Sequence, residues 1–574
     1  MRARPFVAAI LMVAVVGGSV TAALHYKRLR TELRALYRGS FAAVPVGAEP
    51  ATAAIVGINL DLAAPGRTIS PLIYGIATKN PDGAAGLGAT SDRWGGNPSS
   101  RYNWVVGNAC NAADDWEFRN QTCGVQGKDS ASDNYVARDK ALSMTSLITV
   151  PALGWVASST DNSQRSVNVP KSGGPAVDAG GAIAGYDPSA NRARTSVQSL
   201  PHKTGAFVFQ PDPASPVVYQ DEWVNHLVTR FGTAEQGGVR YYEIDNEPML
   251  WSSTQRDVHP AELSYDGLAS IFAQYSDAIK AVDPSAQVLG PESWGWTEYQ
   301  YSALDQGTDD YATHQDRLNH GDLALLPWFL KTTQARDKQR GSRSLDVLTV
   351  HFYPQARGVY GDASNPVTDA LRLRSTRALW DPTYVDESWI KEPVALIPTL
   401  RKWVSEYYPN TPIGITEYNF GGGSSPSAAL AEAEALGIFG REGVSLANYW
   451  PSPKQGSPTW FAFRMFRNYD GSGDAFGSTA VPSSSTNGDL VSSFAARSRT
   501  AVTLMLINKQ LGTDQSVKVN LGGRSRAGAV ARYQYSGQQL DGIVHEPDLP
   551  LAGDGSLKLL LPAGSITVLQ VPVS

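Results

Sequence analysis

The chain has 574 residues, with 49 basic and 54 acidic side chains and a net charge of −5. At about 150 residues per domain, this length predicts several domains or one large barrel with an appended domain. Neither sign of charge is concentrated into the patch that a polyanion needs, so we do not expect nucleic acid as a partner. Its 54 glycines and 36 prolines stay below the fraction typical of low-complexity chains.

Residues 1–24 have the pattern of an export signal. Arg2 and Arg4 precede an apolar run over residues 6–16, and small residues follow it, as in a cleavable signal peptide. Basic residues come directly afterwards, so an uncleaved membrane anchor is the alternative. We therefore expect a secreted or extracytoplasmic protein, or a membrane-anchored one if the segment is retained. Residues 25–54 are predicted to be a linker, first basic and then rich in Ala, Pro and Gly.

The chain contains only two cysteines, Cys110 and Cys123. Two thiols are too few for a zinc site made of cysteine alone. Export would place them in an oxidising compartment, where disulfides persist. We therefore predict a disulfide between them.

From residue 71 to residue 468, short apolar runs alternate with longer helical patterns. Eight runs are predicted to be strands, at 72–76, 90–94, 146–150, 240–244, 287–289, 346–351, 412–416 and 444–449. Helices are predicted between and after them, at 135–144, 221–231, 261–282, 323–338, 394–407, 427–439 and 460–466. This alternation is typical of βαβ units, and eight strands predict an α/β fold, a (β/α)8 TIM-like barrel.

Three stretches fall outside this alternation. Residues 156–216 are rich in Ser, Gly, Asn and Pro, which predicts a functional lid or wall. Residues 469–574 contain short strand-like runs separated by Gly and Asp turns, which predict an appended all-β sandwich. Residues 55–70 include one more strand-like run that we expect to join it. The turn Asp470–Asp474 is rich in oxygen ligands, so a structural calcium ion is one possibility, with no cofactor expected for catalysis.

Two glutamates stand at the ends of predicted barrel strands, where the working residues of such barrels lie. Glu247 follows the fourth strand, and Glu417 ends the seventh. Two carboxyl groups across a cleft can divide the work, one as a protonated acid and one as an ionised nucleophile. Glycoside hydrolysis with retained configuration needs this division, with the two groups about 5 to 5.5 Å apart.

Three other acids compete for these roles. Glu292 follows the fifth strand, while Glu243 and Asp245 lie just before Glu247. Glu243 lies deeper in its strand, so we expect it to pair with a barrel arginine such as Arg93 or Arg240 rather than to act on substrate.

Six motifs together resemble glycoside hydrolase family 44, over roughly residues 55–570. They are RWGGN at 93–97, YNW at 102–104, DNEP at 245–248, HFYPQ at 351–355, ITEYN at 415–419 and RNYDG at 467–471. That family belongs to a clan of retaining (β/α)8 glycosidases and comprises endo-acting β-1,4-glucanases, several of them active on xyloglucan. The combination is specific, although Asn-Glu-Pro alone marks only the clan.

The resemblance implies roles for individual residues. Glu247 becomes the general acid/base and Glu417 the nucleophile, while Asn246 binds the 2-hydroxyl of the sugar being cleaved. Trp450 ends the eighth strand, where the clan has an aromatic platform under the same sugar. The remaining predicted substrate-binding residues are Trp94, Asn97, Trp104, His351, Tyr353 and Tyr418, with Trp94 and Trp104 lining the cleft or its floor.

The residues therefore predict a monomeric retaining endo-β-1,4-glucanase whose partner is a β-glucan such as xyloglucan or amorphous cellulose. Another retaining member of the clan, a mannanase or a xylanase, is an alternative because the acid pair does not select the sugar. A carbohydrate-binding surface protein that has lost catalysis is a third possibility, although both acids are present.

Overall fold

The computed structural model describes residues 55–77, 86–124, 127–163, 195–521 and 528–572. The predicted export signal and linker lie outside the described residues. Among the helices within those ranges, none combines the length and apolar composition that a bilayer crossing needs.

Eight parallel strands close into a barrel, as predicted. They are β1 (Gly75–Ile76), β2 (Ser91–Trp94), β3 (Thr145–Val150), β4 (Tyr241–Ile244), β5 (Gln287–Ser293), β6 (Val347–Phe352), β7 (Ile413–Tyr418) and β8 (Leu446–Tyr449). The chain therefore forms the (β/α)8 barrel that the alternating pattern predicts.

The prediction of the first strand, over residues 72–76, is mostly wrong. Residues Pro71–Tyr74 form a 3-10 helix, and only Gly75 and Ile76 pair in the barrel. Ser70 caps this helix by accepting a hydrogen bond from the Leu72 backbone N–H, and Pro71 is compatible with a first helical position. Apolar content alone cannot distinguish this turn from a strand.

The α-helices of the described residues are, in chain order, α1 (Ala131–Ala141), α2 (Gln220–Phe231), α3 (Trp251–Thr254), α4 (Tyr265–Val282), α5 (Trp296–Gln300), α6 (Ala303–Asp309), α7 (Gln315–Asn319), α8 (Leu325–Arg340), α9 (Pro366–Ser375), α10 (Leu396–Tyr407), α11 (Pro426–Glu442) and α12 (Pro458–Arg467). Further 3-10 helices span Asn97–Arg101, Ala113–Trp116, Pro248–Leu250 and Thr376–Leu379. All seven predicted helices overlap observed ones.

Two sheets pack into the predicted sandwich beside the barrel. The larger has strands Arg67–Thr68, Thr479–Val481, Val491–Arg497, Ala501–Asn508, Ser565–Pro572, Ala529–Ser536 and Gln539–Pro550. The smaller has strands Ser483–Ser485, Val56–Leu60, Gln515–Asn520 and Ser556–Leu561. Val56–Leu60 runs parallel to Gln515–Asn520, so the N-terminal strand does belong to the sandwich, and the sandwich is not wholly antiparallel.

Two small sheets lie in the loops after β2 and β3. Ala109–Asn111 pairs with Asn120–Thr122, and a disulfide joins Cys110 to Cys123 with their Cα atoms 5.5 Å apart. Trp155–Ala157, Ser196–Leu200 and Val217–Tyr219 form a three-stranded sheet within the predicted lid or wall. Residues 164–194 of that insertion lie outside the described residues.

The barrel interior changes character along its axis. A buried apolar layer that includes Leu147, Tyr241 and Leu289 fills the end where the strands begin. Towards the carboxyl ends, the buried inward side chains are charged, among them Arg93 and Glu243. The polar end is where barrels of this kind carry their active sites.

Candidate active site

Irregular backbone at the strand ends sets the direction of the predicted acids. The register of β5 against β6 shifts at Glu292, and that of β7 against β8 shifts between Ile415 and Tyr418. Glu247 and Glu292 both have positive φ, of 45° and 58°. Such backbone costs of order 1 kcal/mol or more for a residue that is not glycine, and it clusters at functional sites.

The structure brings Glu247 and Glu417 together. One carboxylate oxygen of each and one ring nitrogen of His351 all lie within 4.8 Å of one another. This spacing fits the short separation of retaining glycosidases and is too small for the about 6.5 to 9.5 Å of inverting ones. The side chains of Glu247 and Glu417 are 17% and 7% exposed, so both reach the mouth of the barrel.

Arg93 connects the acids from below. Its Nε donates to Glu243 at 2.7 Å, its Nη1 to Glu417 Oε1 at 2.6 Å, and its Nη2 to Asn246 Oδ1 at 3.1 Å. The predicted pairing of Glu243 with a barrel arginine is therefore present, and Glu243 does not face the cleft. A cation already held on Glu417 also disfavours a metal ion at the Glu247–His351–Glu417 cluster, because like charges would lie side by side.

His351 carries a second buried positive charge. Its Nδ1 lies 2.8 Å from Glu247 Oε1, and its Nε2 lies 3.3 Å from Glu292 Oε2. Burial disfavours the imidazolium, but Glu417, Glu247 and Glu292 outweigh that penalty and raise the pKa of His351 to about 10. His351 therefore stays protonated at neutral pH and donates a hydrogen bond to Glu247, the acid/base candidate.

The carboxyl group of Glu247 has the electrostatics of an acid. Burial is the largest cause and raises its pKa, and hydrogen bonding and attraction from His351 oppose that rise without cancelling it. The nearby Glu417 also raises the pKa of Glu247, because two adjacent carboxylates resist ionising together. Glu247 is thus suited to hold a proton, as the sequence predicts.

Tyr353 completes the surroundings of Glu417. Its hydroxyl donates to Glu417 Oε2 at 2.8 Å, while Arg93 occupies Oε1. Two donors, one of them charged, therefore fix the orientation of the Glu417 carboxylate. Tyr353 thus lies in the site, where the sequence places it.

Asn246 and Trp450 face each other across Gly96. The Asn246 carboxamide oxygen accepts from the Gly96 backbone N–H at 3.2 Å, and its Nδ2 lies 3.4 Å from Asn97 Oδ1. Gly96 has φ of 82°, and a side chain there would meet the Trp450 ring at 2.5 Å. Gly95 likewise leaves room for the Arg93 guanidinium, so these two glycines make space for protein side chains.

Three predicted substrate-binding residues lie away from the cleft. Trp94 is buried and packs on Tyr102 with ring centroids 4.9 Å apart. Trp104 is buried and donates from Nε1 to the Tyr219 carbonyl. Tyr418 is fully buried on the outer face of β7. Successive strand residues face opposite sides, so Arg93 and Glu417 point inward while Trp94 and Tyr418 point outward.

The sequence missed two supporting contacts. Glu292 appeared only as a rival acid, but it is fully buried and accepts from the hydroxyls of Thr349 and Thr416 as well as pairing with His351. Tyr299 on α5 donates to the His351 carbonyl. The contacts of Glu292 depend on the register shift of β5 against β6, for which the sequence offers no local signal.

Asp245 and the predicted calcium turn also use their oxygens within the protein. Asp245 Oδ2 accepts from the backbone N–H groups of Ala152 and Leu153, which fixes the loop after β3. Asp470 Oδ1 accepts from three backbone N–H groups, including that of Asp474. The calcium ion stays a prediction.

Comparison with known proteins gives concordant matches. A sequence model of glycoside hydrolase family 44 matches residues 109–356. Endoglucanase A of Paenibacillus lautus is 32% identical over 496 residues, which cover 82% of this chain and 66% of that protein. The chain thus spans just under two thirds of the length of this curated relative.

Two solved structures extend the match over the barrel and the sandwich. CelM2, a bifunctional glucanase-xylanase from a metagenome library, is 37% identical with a TM-score of 0.81 over 91% of this chain and 99% of its own. A family 44 xyloglucanase of Paenibacillus polymyxa, solved with xyloglucan, is 28% identical with a TM-score of 0.79, over 91% of this chain and 100% of its own. Sequence and fold agree with the paired carboxylates, and the chain belongs to glycoside hydrolase family 44.

Proposed function

We propose that the protein is a retaining endo-β-1,4-glucanase that hydrolyses xyloglucan or other soluble or amorphous β-glucans by double displacement. The observation that carries the proposal is the spacing of Glu247 and Glu417, whose oxygens approach within 4.8 Å at the mouth of the barrel. That spacing lets one carboxylate reach the anomeric carbon while the other reaches the glycosidic oxygen of the same linkage.

In the first step, a Glu417 oxygen attacks the anomeric carbon and forms a glycosyl ester. The bond from that carbon to the glycosidic oxygen breaks, and the proton of Glu247 passes to the departing oxygen. Arg93 and Tyr353 hold the Glu417 carboxylate in place before attack. Loss of the Glu417 charge then removes one cause of the raised pKa of Glu247.

In the second step, Glu247 is a carboxylate and accepts a proton from water. The water oxygen bonds to the anomeric carbon, the ester bond to Glu417 breaks, and both acids return to their starting forms. His351 donates to Glu247 throughout, because its pKa of about 10 keeps it charged. Arg93 and Gly96 occupy the carboxamide oxygen of Asn246, so its Nδ2, which has only a long contact of 3.4 Å with Asn97, is the group that donates to the sugar 2-hydroxyl.

The glucan substrate follows from the relatives rather than from the acids. Endoglucanase A and the P. polymyxa xyloglucanase are named for glucan hydrolysis, and the latter was solved with xyloglucan. CelM2 is named for both glucanase and xylanase action, so xylan is the second candidate. The half-buried Trp450 at the end of β8 offers a flat apolar surface of the kind that sugar rings stack on.

A substrate panel with product analysis tests this proposal. The protein is incubated with xyloglucan, carboxymethylcellulose, mannan and xylan, and the first anomer released is followed by proton NMR. We expect β-anomer products from internal cleavage of xyloglucan or the cellulose derivative. First release of the α-anomer would overturn the retaining mechanism, and cleavage of xylan or mannan alone would overturn the assignment of substrate.

We also infer that the protein is exported. The signal pattern of residues 1–24 supports this, as does a polymeric substrate too large to enter a cell, and a disulfide between Cys110 and Cys123 suits an oxidising compartment. Sequencing the N-terminus of the protein recovered outside the cytoplasm distinguishes a removed signal from a retained anchor.

A further inference from the structure

A second groove lies outside the catalytic mouth, between α12 and the larger sheet of the sandwich. Its volume is about 480 Å³, within the range of pockets that bind small organic ligands. One wall carries Trp460 and Arg464 of α12, and the other carries Tyr533, Asp541 and His545 of the sandwich.

Stacked rings form much of the sandwich wall. The rings of Tyr533 and His545 are nearly parallel, with centroids 4.6 Å apart. The ring centroid of Tyr469 lies 4.9 Å from that of Tyr533. The His545 side chain is 56% exposed, so this row of rings continues to the surface. Because the stacked rings cover one another, His545 at the exposed end of the row is the ring that offers a flat surface to the apolar face of a pyranose.

The α12 wall has two nitrogen donors without a protein acceptor among the described residues. Trp460 Nε1 and Arg464 Nε are both enclosed and form no hydrogen bond there. Trp460 is 5% exposed, and the Arg464 guanidinium carbon lies 4.9 Å from its ring centroid. An enclosed donor without a partner is unfavourable, and a ligand hydroxyl reached through small side-chain movements would satisfy it.

The groove adjoins the segment that leaves the catalytic mouth. Trp450 directly follows β8. Gln455 and Gly456 of the same connection line the groove, and α12 begins at Pro458. A chain molecule that leaves the cleft past Trp450 therefore has a short path to the groove. Among the polar groups there, Gln455 is neutral and Arg464 and Asp541 have opposite charges, so the lining suits neutral hydroxyls better than a polyanion.

We propose that this groove binds a segment of β-glucan as a second carbohydrate site, separate from the two catalytic acids. The identity of the ligand rests on the glucanase function proposed above; the site itself rests on the ring row, the enclosed donors and the connection to Trp450. Its role is to hold polymeric substrate near the cleft, so it affects long chains and not short ones.

The test uses the full chain with the exposed groove residues replaced together, Gln455→Ala and His545→Ala, in the active protein and in Glu417→Gln. In native gels that contain xyloglucan, we expect less retardation of the Glu417→Gln protein when the groove is altered. In the active protein, we expect KM for xyloglucan polymer to rise about threefold to tenfold, because the variant loses one ring contact and one polar contact. The kcat/KM for a short aryl cello-oligosaccharide should stay the same.

Lys558→Ala is the control, since it also removes an exposed polar side chain of the sandwich but lies outside the groove. Equal retardation and equal polymer KM in the groove variant and this control would overturn the groove proposal. If the groove variant instead changes only the protease sensitivity of residues 1–54, the occupant is the N-terminal segment, and the proposal is also wrong. If the wild-type protein is active and the groove variant behaves like the control, only the groove proposal fails and the glucanase function stands. A wild-type protein that is inactive on every β-glucan would instead contradict the glucanase function.

Discussion

The two faces of β7 show how one strand serves chemistry on one side and packing on the other. Glu417 points into the barrel, where Arg93 and Tyr353 donate to its oxygens. Tyr418, one residue later, points outward and donates to Glu432 of α11 at 2.7 Å. Burial raises the pKa of Glu432 to about 8, so that carboxyl group is neutral at pH 7. Burial thus outweighs the hydrogen bond from Tyr418 and favours the protonated form of Glu432.

The faces also differ in what they pack against. The inner face meets charged side chains at the mouth of the barrel, and its neighbours include residues with strained backbone. The outer face meets α11, in which every residue from Ser427 to Gly440 is buried. Changes on the inner face should therefore alter catalysis with little effect on folding, and changes on the outer face should do the reverse. Four substitutions test this division.

Glu417→Gln should have the largest effect. Removing the nucleophile is expected to lower kcat on xyloglucan by more than about 10⁴-fold, as losses of nucleophiles do in other hydrolases. Reducing-sugar assays measure the activity, and the melting temperature measures folding. The matched control is Glu432→Gln on the outer face, which should keep kcat within about twofold of the wild type. Comparable losses of kcat in the two variants would contradict the division.

Glu247→Gln should lower kcat by about 10² to 10⁴-fold, the usual contribution of a general acid/base. An aryl glycoside whose leaving group needs no proton should restore glycosylation, so a burst of phenol is expected before slow turnover. Stopped-flow absorbance measures the burst. A variant that loses the burst along with steady-state turnover would show that Glu247 is not the proton donor.

Phe439→Ala tests the outer face directly. Phe439 is fully buried, and its ring contacts that of Tyr418 edge-on at 5.0 Å. Truncating a buried phenylalanine costs about 3 to 5 kcal/mol of unfolding free energy. Chemical denaturation should show that loss, while kcat at a temperature well below the melting point stays near the wild-type value. A large drop in kcat with unchanged stability would place this face in the catalytic machinery.

Glu432→Gln sharpens the comparison through pH. The folded state keeps Glu432 protonated to about pH 8, whereas an unfolded glutamate ionises near pH 4.3. Its contribution to stability is therefore complete below the unfolded pKa and is lost as pH rises through the folded one, by at most about 1.4 kcal/mol per pH unit. The melting temperature of the variant should gain on that of the wild type between pH 5 and 8. Parallel melting curves across that range would mean that Glu432 is ionised in the fold.

The sequence predicts the parts of this architecture that local pattern controls. Eight apolar runs and the acids that follow two of them predict the barrel and bring Glu247 near Glu417. The outward direction of Trp94 and Tyr418 could also have been predicted, because each is adjacent to an inward residue and successive side chains of a strand point to opposite faces. Two contacts could not be predicted, namely the hydrogen bond from Arg93 to Glu417 and the ion pair of His351 with Glu292. They join strands whose bulged registers have no local signature in the sequence.

Trapping the covalent intermediate tests the central claim most directly. The protein is treated with a 2-deoxy-2-fluoro cello-oligosaccharide that carries a good leaving group, and its peptic peptides are analysed by mass spectrometry. The account predicts one glycosylated peptide, with the sugar attached to Glu417. A label on Glu247, Glu292 or another side chain, or rapid turnover of substrate with no ester formed at Glu417, would contradict it.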